Sequence, residues 1–293
     1  MPLDPNPCKH CRNEIPLDAR NCPHCAYGMN FPNLIMAGQS SEREALEKRY
    51  QAALIDAAAR GCEKTVRTFE AAVSNSQAIM GSTLQKLLPI VTRDRDVFAT
   101  YHDLMELKFL RDETPDWGRL RTHAEVELLG SVKNIDGLHY AALSLNGRSL
   151  RRYGEATIQL REPLIAHRAS VFEENSAVYV EKGNAKFSPG SRAIWSDRTK
   201  LCVAKLASKI DVSTRSDEFP GILMNDGSTP FDDEFVEVHV FGPMTIASFK
   251  KIVVSKNNTT EATPKRGRTR RGTTNERAIK DYCDQYGTVC EFQ

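Results

Sequence analysis

Glu234-Phe-Val-Glu-Val-His-Val-Phe-Gly-Pro243 is the stretch that most clearly predicts a β-strand in this chain. Side chains alternate between the two faces of a strand, so one face carries three valines. The other face mixes aromatic rings with a carboxylate and an imidazole: Phe235, Glu237, His239 and Phe241. The valine face predicts a hydrophobic core. The mixed face is either an ordinary solvent-facing side or the floor of a cleft that holds a ligand.

Around this strand, residues 122–254 consist of short apolar segments separated by Gly, Asn, Asp and Pro. This texture is typical of a mostly β or α+β domain. The predicted strands are Ala124–Leu129, Leu138–Leu145, Ala156–Leu160, Ser170–Phe172, Ala177–Val180 and Phe235–Phe241. One helix is predicted among them, Ser196–Ile210, with its buried side formed by Leu201, Val203, Leu206 and Ile210.

The preceding residues, 42–121, are predicted to form a helical segment, because apolar side chains recur there at helical spacing. A first stripe contains Leu46, Tyr50, Ala53, Leu54 and Ala57. A second contains Val66, Phe69, Val73, Ala78 and Ile79. A third helix is predicted over Asp94–Asp112. A bundle or hairpin is favoured over a coiled coil, because the heptads are not sustained. Residues 31–41, which contain Pro32 and Gly38, are predicted to be a linker.

Residues 1–30 contain two CxxC motifs ten residues apart, formed by Cys8, Cys11, Cys22 and Cys25. Four thiolates in two such knuckles suit a closed, tetrahedral Zn²⁺ site, which predicts a structural zinc ribbon. Two disulfides are the alternative. The remaining cysteines are scattered and no signal segment is evident, so a reducing compartment and zinc are favoured.

The overall charge of the 293-residue chain is nearly balanced, at +2 with 40 basic and 38 acidic residues. General affinity for polyanions is therefore not expected. Apolar runs fall far short of the ~20 residues of a membrane helix, which predicts a cytoplasmic protein with no membrane contact. Residues 255–293 are predicted to be a basic, largely disordered tail with one short helix over Asn275–Tyr286. Lys265–Arg271 either contacts phosphates or is simply solvated.

Two parts of the β-rich domain resemble toxin-type ADP-ribosyltransferases. Phe235-Val-Glu-Val-His-Val-Phe-Gly-Pro243, followed by residues 245–252, is similar to the last conserved strand of that family, in which a glutamate lies in an apolar strand. Arg152-Tyr-Gly-Glu-Ala-Thr-Ile-Gln-Leu160 and the Arg168-Ala-Ser170 strand with its Asn-Ser turn resemble the middle of the fold. The resemblance covers Leu138–Val254 and implies NAD as the substrate.

The resemblance also implies roles for single residues. Glu237 would be the catalytic carboxylate, and Ser170 would hold the ribose or the amide on the nicotinamide side. Tyr153 would stack on nicotinamide and Arg168 would pair with the diphosphate. The family's first motif would fall on His139 with Tyr140 or, alternatively, on Arg151 or Arg152. Phe235 stands where arginine-modifying members carry a second glutamate, which argues against arginine as the acceptor.

Two classes of function follow from these patterns. The first is an NAD-dependent ADP-ribosyltransferase, a bacterial toxin or anti-phage effector whose zinc ribbon recruits a nucleic-acid or protein target. The second is a non-enzymatic module that binds nucleic acid or protein through the ribbon and the basic tail, including a transcription-associated ribbon protein. The sequence contains no G-x-G-x-x-G, Walker, H-E-x-x-H or G-x-S-x-G motif, which argues against several other enzyme classes.

Overall fold

The computed structural model describes residues 6–7, 14–15, 31–84, 86–87, 97–106, 117–130, 135, 137–184, 186–255, 279–281, 283–285 and 287–292. These residues form an α+β fold built on one eight-stranded mixed sheet and a separate two-stranded pair. Among the helices in these ranges, none has the length and apolar content needed to cross a membrane.

The two-stranded pair consists of β1 (Asn6–Pro7) and β2 (Glu14–Ile15). The large sheet contains β3 (Gln77–Ser82), β4 (Leu138–Ser144), β5 (Ala156–Leu160), β6 (Ala169–Phe172), β7 (Arg192–Ile194), β8 (Glu237–Phe241), β9 (Phe249–Val254) and β10 (Val289–Phe292). The strand order is β10-β9-β5-β3-β4-β8-β6-β7. Neighbours are antiparallel throughout, except that β9 and β10 are parallel.

The helices lie on both faces of this sheet. They are α1 (Pro32–Ala37), α2 (Ser40–Ala59), α3 (Glu63–Ser74), α4 (Tyr101–Glu106), α5 (Trp117–Leu129), α6 (Glu162–Ile165), α7 (Ser176–Glu181), α8 (Arg198–Leu206) and α9 (Phe219–Leu223). The main hydrophobic core lies between the valine face of β8 and helices α2, α3 and α8. A second cluster on the other face joins α5 and α7 to aromatic residues of the sheet.

Several predicted elements are confirmed. Strands occur at Leu138–Leu145, Ala156–Leu160 and Ser170–Phe172, with small shifts at their ends, and β8 occupies most of Phe235–Phe241. The predicted helix Ser196–Ile210 contains α8 flanked by two 3₁₀ turns. All four residues predicted for its buried side are buried: Leu201, Val203, Leu206 and Ile210.

Three secondary-structure predictions are wrong. Ala124–Leu129, predicted as a strand, is the second half of α5. Ala177–Val180 is helical because Asn175 caps α7: its side-chain oxygen accepts hydrogen bonds from the backbone N–H groups of residues 177 and 178. Ala78 and Ile79, predicted to extend the second helix, lie on β3, where alternating side chains face opposite sides of the sheet. The third predicted helix, Asp94–Asp112, is described only over residues 97–106, of which α4 covers 101–106.

The segments predicted to be a linker and a largely disordered tail also differ from their predictions. Residues 31–41, predicted as a linker, contain α1, which packs on α5 and on strands β6 and β7. Within the predicted tail, Val289–Phe292 belongs to the large sheet, because β10 pairs with β9. Residues 279–281 and 283–285 are helical, within the predicted Asn275–Tyr286 helix, and Ile279 and Cys283 are buried in the main core. Lys265–Arg271 lies outside the described residues.

A buried ion pair fixes the beginning of α2 against the sheet edge. The Glu42 carboxylate lies 2.8 Å from the guanidinium of Arg192 on β7. Its other oxygen accepts a hydrogen bond of 2.7 Å from the backbone N–H of Gly190. Gly190 has a φ of +79°, and a Cβ at this position would lie 2.6 Å from the backbone nitrogen of Leu46. Only glycine therefore allows the loop before β7 to approach α2 this closely.

We expect Gly190→Ala to destabilise the fold more than a matched substitution in the same loop. Gly183 has a φ of +88°, but a Cβ there meets nothing within 4 Å. Gly183→Ala should therefore lower the free energy of unfolding by about 1–2 kcal/mol from backbone strain alone. Gly190→Ala adds the steric conflict with α2 and should cost about 1–3 kcal/mol more. Urea unfolding of both variants measures the difference, and equal losses would contradict this account of the loop.

Candidate functional site

The register of three central strands brings predicted site residues into one row. Tyr140 on β4 and Ser170 on β6 both pair with His239 on β8. Residues directly opposite one another in an antiparallel sheet share a face. Glu237, two residues from His239, lies on this same face. The structure therefore brings together Glu237, Ser170 and Tyr140, and adds His239 to them.

The Glu237 carboxylate is buried, with the residue only 5% exposed, so its mixed strand face is not an ordinary solvent-facing side. Its Oε2 accepts a hydrogen bond of 3.0 Å from the backbone N–H of Ser176, at the start of α7. The same oxygen lies 2.8 Å from Nε2 of His239. Burial alone would raise the pKa of Glu237, but the His239 imidazole and the Ser176 N–H outweigh it and lower the pKa. Glu237 is therefore an ionised carboxylate at neutral pH.

Helix α5 places a second carboxylate on this face. Glu125 is fully buried, and its Oε1 accepts a hydrogen bond of 2.7 Å from the Tyr140 hydroxyl. Its Oε2 lies 2.6 Å from Nε2 of His102 on α4. Burial and the neighbouring Glu125 charge raise the pKa of Tyr140 well above its usual value. Tyr140 is therefore a neutral phenol that donates to Glu125.

One turn before Glu125, Arg121 inserts its guanidinium between two phenol rings. The Arg121 Cζ lies 4.2 Å from the ring centre of Tyr101 and 4.5 Å from that of Tyr140. Burial opposes the positive charge, but the Tyr140 phenol and then the carboxylates of Glu237 and Glu125 outweigh it and raise the pKa of Arg121. The two carboxylates, Glu125 and Glu237, are both close enough to contribute. We call these residues, with their neighbours, the polar cluster: Tyr101, His102, Arg121, Glu125, Tyr140, Ser170, Glu237 and His239.

Helix α1 closes one side of the polar cluster. The side-chain amide of Asn33 donates hydrogen bonds to Ser170 Oγ, at 3.1 Å, and to the backbone oxygen of His239, at 3.2 Å. It also donates to the backbone oxygen of Arg168, at 3.1 Å. One amide group thus joins adjacent strands β6 and β8 beneath the cluster.

Other predicted site residues lie elsewhere. His139 precedes Tyr140 on β4 and therefore points to the opposite face, where its ring packs beside Phe98. His139 and Tyr140, predicted as one motif, therefore lie on opposite faces of the sheet. Arg168 is buried and donates to three backbone oxygens, those of Leu164, Phe241 and Pro243. These bonds commit its guanidinium to the fold, so it does not fit the predicted contact with a diphosphate.

The predicted cofactor residues Arg152 and Tyr153 lie in a 3₁₀ turn before β5. The Tyr153 side chain packs over Gly81 in the middle of β3. The Arg152 guanidinium lies 2.7 Å from the buried Asp233 carboxylate. The neighbouring Arg151 lines an open polar cleft of about 1020 Å³ over β3, β5 and β9. The hydrogen bonds and ion pairs of the described residues do not join this region to Glu237.

The predicted metal ligands Cys8, Cys11, Cys22 and Cys25 lie outside the described residues. β1 and β2 pair on either side of the first CxxC motif, with Asn6 opposite Ile15 and Pro7 opposite Glu14. Within the described ranges, no group of three or more His, Cys, Asp or Glu side chains could hold a metal ion.

Four members of the polar cluster were not predicted as site residues from the sequence: Tyr101, His102, Arg121 and Glu125. A signal for two of them was present, because Arg121 and Glu125 have the i, i+4 spacing of neighbours on a helix. Reading Ala124–Leu129 as a strand concealed that spacing. His102 and Tyr101 become recognisable only when α4 and α5 are packed together on the sheet.

Neither of two sequence comparisons relates this chain to a known family: no protein-family model matches it, and no curated protein matches it significantly.

We expect His139 to make the fold sensitive to acid. Burial, aided by the positive charge of Arg168, lowers the pKa of His139 from 6.5 to about 3. Since the unfolded chain binds this proton more readily, the contribution to stability is fully present above pH 6.5. It falls by about 1.4 kcal/mol per pH unit as the pH decreases from 6.5 towards 3.

The measurement is urea unfolding of the wild type and His139→Gln between pH 7.5 and 5. The variant lacks the titrating ring, so its free energy of unfolding should decrease less steeply with acidification than that of the wild type. Parallel curves would show that His139 does not remain neutral in the folded protein.

Proposed function

We propose that the β-rich domain is an NAD-dependent ADP-ribosyltransferase in which Glu237 is the catalytic carboxylate. The observation that supports this most is the state of Glu237: an ionised, buried carboxylate held rigidly beside His239 on a strand that also faces Ser170 and Tyr140. Strongly perturbed titratable groups that cluster in this way are typical of functional sites.

The proposed reaction breaks the bond between nicotinamide and C1′ of the ribose. The bonding electrons leave with nicotinamide, and the ribose becomes an oxocarbenium ion. A fixed carboxylate stabilises this positive charge and accepts a hydrogen bond from a ribose hydroxyl. An acceptor nucleophile then bonds to C1′ and loses its proton. The energetic advantage comes from a carboxylate that is already oriented and needs no rearrangement during the reaction.

The hydrogen bonds of Glu237 suit this role. Ser176 N–H and His239 Nε2 both engage Oε2, and no hydrogen bond between described residues reaches Oε1. Oε1 is therefore the oxygen that we assign to the ribose. Ser170, opposite His239, would hold the ribose or the nicotinamide amide. The ring of Tyr140, 5.4 Å from the ring of His239, would offer an aromatic surface on the same face. His139 and Arg168 have no part in catalysis in this proposal.

For the amino-terminal residues we propose a structural zinc ribbon with Cys8, Cys11, Cys22 and Cys25 as ligands. Four thiolates are a donor set that Zn²⁺ prefers, and closed sites of this kind stabilise segments too short to form a core. The ribbon would recruit the acceptor, a nucleic acid or a protein, and Lys265–Arg271 would add phosphate contacts if the acceptor is a nucleic acid. Such a protein would act in a reducing cytoplasm as a bacterial toxin or anti-phage effector.

The transferase proposal predicts that Glu237→Gln abolishes NAD cleavage. Replacing the carboxylate by an amide removes the charge that stabilises the oxocarbenium ion, and we expect nicotinamide release to fall at least ~100-fold. The assay follows nicotinamide release by the purified full chain, alone and with added RNA, DNA or cell lysate.

Glu234→Gln is the matched control. Glu234 lies three residues earlier in the same segment, but its carboxylate is exposed and pairs with Lys209 at the surface. This variant should release nicotinamide at the wild-type rate, and thermal melts should show that both variants are folded. If the wild type neither binds nor cleaves NAD in any mixture, the transferase proposal is wrong and the non-enzymatic zinc-ribbon module takes its place.

The zinc proposal predicts one Zn²⁺ per chain. Cys22→Ser should lose the metal, because a serine hydroxyl does not replace a thiolate ligand. Cys290→Ser, which removes a thiol of β10, should keep it. Elemental analysis of the purified proteins gives the stoichiometry. Disulfides in place of zinc under reducing purification, or full zinc in Cys22→Ser, would contradict the assignment.

A further inference from the structure

We propose that Arg121 is the anion-binding residue of the polar cluster and that it pairs with phosphate oxygens of the substrate. This inference deepens the proposed function and rests on it for the identity of the ligand. The position of Arg121 rests on the structure alone: it lies on α5, outside every stretch that resembles a known family.

The guanidinium of Arg121 has one unused hydrogen-bond donor in the interior. Its Nε is buried and has no hydrogen-bond acceptor among the described residues. The Arg121 guanidinium lies over the faces of the Tyr101 and Tyr140 rings. These faces attract the positive charge, but they do not take the place of hydrogen-bond acceptors in the plane of the guanidinium. Buried donors without a partner are costly, and native structures rarely leave them so.

Among the described residues, no hydrogen bond joins Arg121 to either nearby carboxylate. Glu125 accepts a hydrogen bond from Tyr140 and lies against His102. Oε2 of Glu237 is held by Ser176 and His239, and its Oε1 is the oxygen that we assign to the ribose. The two carboxylates offset the positive charge of Arg121 without hydrogen bonding to it. The N–H groups of its planar guanidinium therefore remain available to a ligand. An arginine held in this way is suited to a ligand that brings its own oxyanion.

The two rings also fix the orientation of the fork. A planar guanidinium between two aromatic faces keeps a defined plane and loses little further side-chain freedom when it binds. Planar donors in a fixed fork recognise phosphate or carboxylate oxygens with two parallel hydrogen bonds. Tyr101, Arg121 and Tyr140 are each only partly buried, so this part of the cluster is not sealed from solvent.

Phosphate is the oxyanion that agrees with the proposed reaction. A dinucleotide whose ribose lies at Glu237 carries its diphosphate a few bonds away from C1′. A chain of direct contacts joins Arg121 to Glu237: the guanidinium lies over the Tyr140 ring, that ring lies 5.4 Å from the His239 ring, and His239 is 2.8 Å from Glu237. The carboxylate would face the positive charge that develops on the ribose, and the guanidinium would face the permanent negative charge of the phosphates.

The test is isothermal titration calorimetry of the full chain with ADP and with adenosine, which lacks phosphate. We expect the wild type to bind ADP at least ~10-fold more tightly than adenosine. Arg121→Gln should remove this difference. Arg121→Lys keeps the charge but not the fork and should weaken ADP binding by about tenfold while leaving adenosine binding unchanged. Arg43→Gln, an exposed arginine of α2, is the matched control and should bind both as the wild type does.

Equal affinity of the wild type for ADP and adenosine would overturn the proposal, whether or not the variants fold. Wild-type ADP binding by folded Arg121→Lys and Arg121→Gln would also overturn it. Glu237→Gln separates the two proposals, because it should keep the preference for ADP while losing nicotinamide release. A preference for ADP without any NAD cleavage would leave the Arg121 assignment standing and reject the transferase.

Discussion

The register of β8 between β4 and β6 is the constraint on which the candidate site depends. Side chains alternate along β8, so a shift of its pairing register by one residue would reverse the two faces of the strand. The valines would then lie under α5 and α7, and Glu237 and His239 would point into the main core. Both faces of this strand are buried, so both would suffer from such a shift. The packing of Val236, Val238 and Val240 against the helices therefore determines where the carboxylate and the imidazole lie.

The charged groups on the site face are arranged differently from the ion pair at the sheet edge. Glu42 and Arg192 are paired directly, and a backbone N–H completes the hydrogen bonds of the carboxylate, as expected for a pair that fixes structure. In the part of the polar cluster that the structure describes, the Arg121 guanidinium makes no hydrogen bond with either carboxylate, and its buried Nε keeps an unused donor. Apolar residues of similar volume would often stabilise such a region as well or better. This difference favours a role in binding for Arg121 over a role in folding alone.

The sequence was informative where one local rule decided the structure. Strands bounded by glycine, asparagine and aspartate, and the helix around α8 with its apolar side, could be predicted from periodicity. The helical structure of Ala124–Leu129 could not be predicted in this way, because alternating acidic and apolar residues fit a strand and a helix equally well. The alternation rule could have separated His139 from Tyr140, since adjacent strand residues point to opposite faces. The positions of Arg121 and His102 depend on how α4 and α5 pack on the sheet, which no local pattern contains.

Helix α1 supports the candidate site and follows the proposed zinc ribbon in the sequence. Asn33 holds Ser170 and the backbone of His239 from below, so the segment predicted as a linker is part of the scaffold of the site. Only five residues, 26–30, separate Cys25 from Phe31, which directly precedes α1. An extended chain of this length spans at most about 20 Å. If residues 1–30 form the proposed ribbon, its last ligand is tethered within this distance of Phe31, next to the helix whose Asn33 supports Ser170.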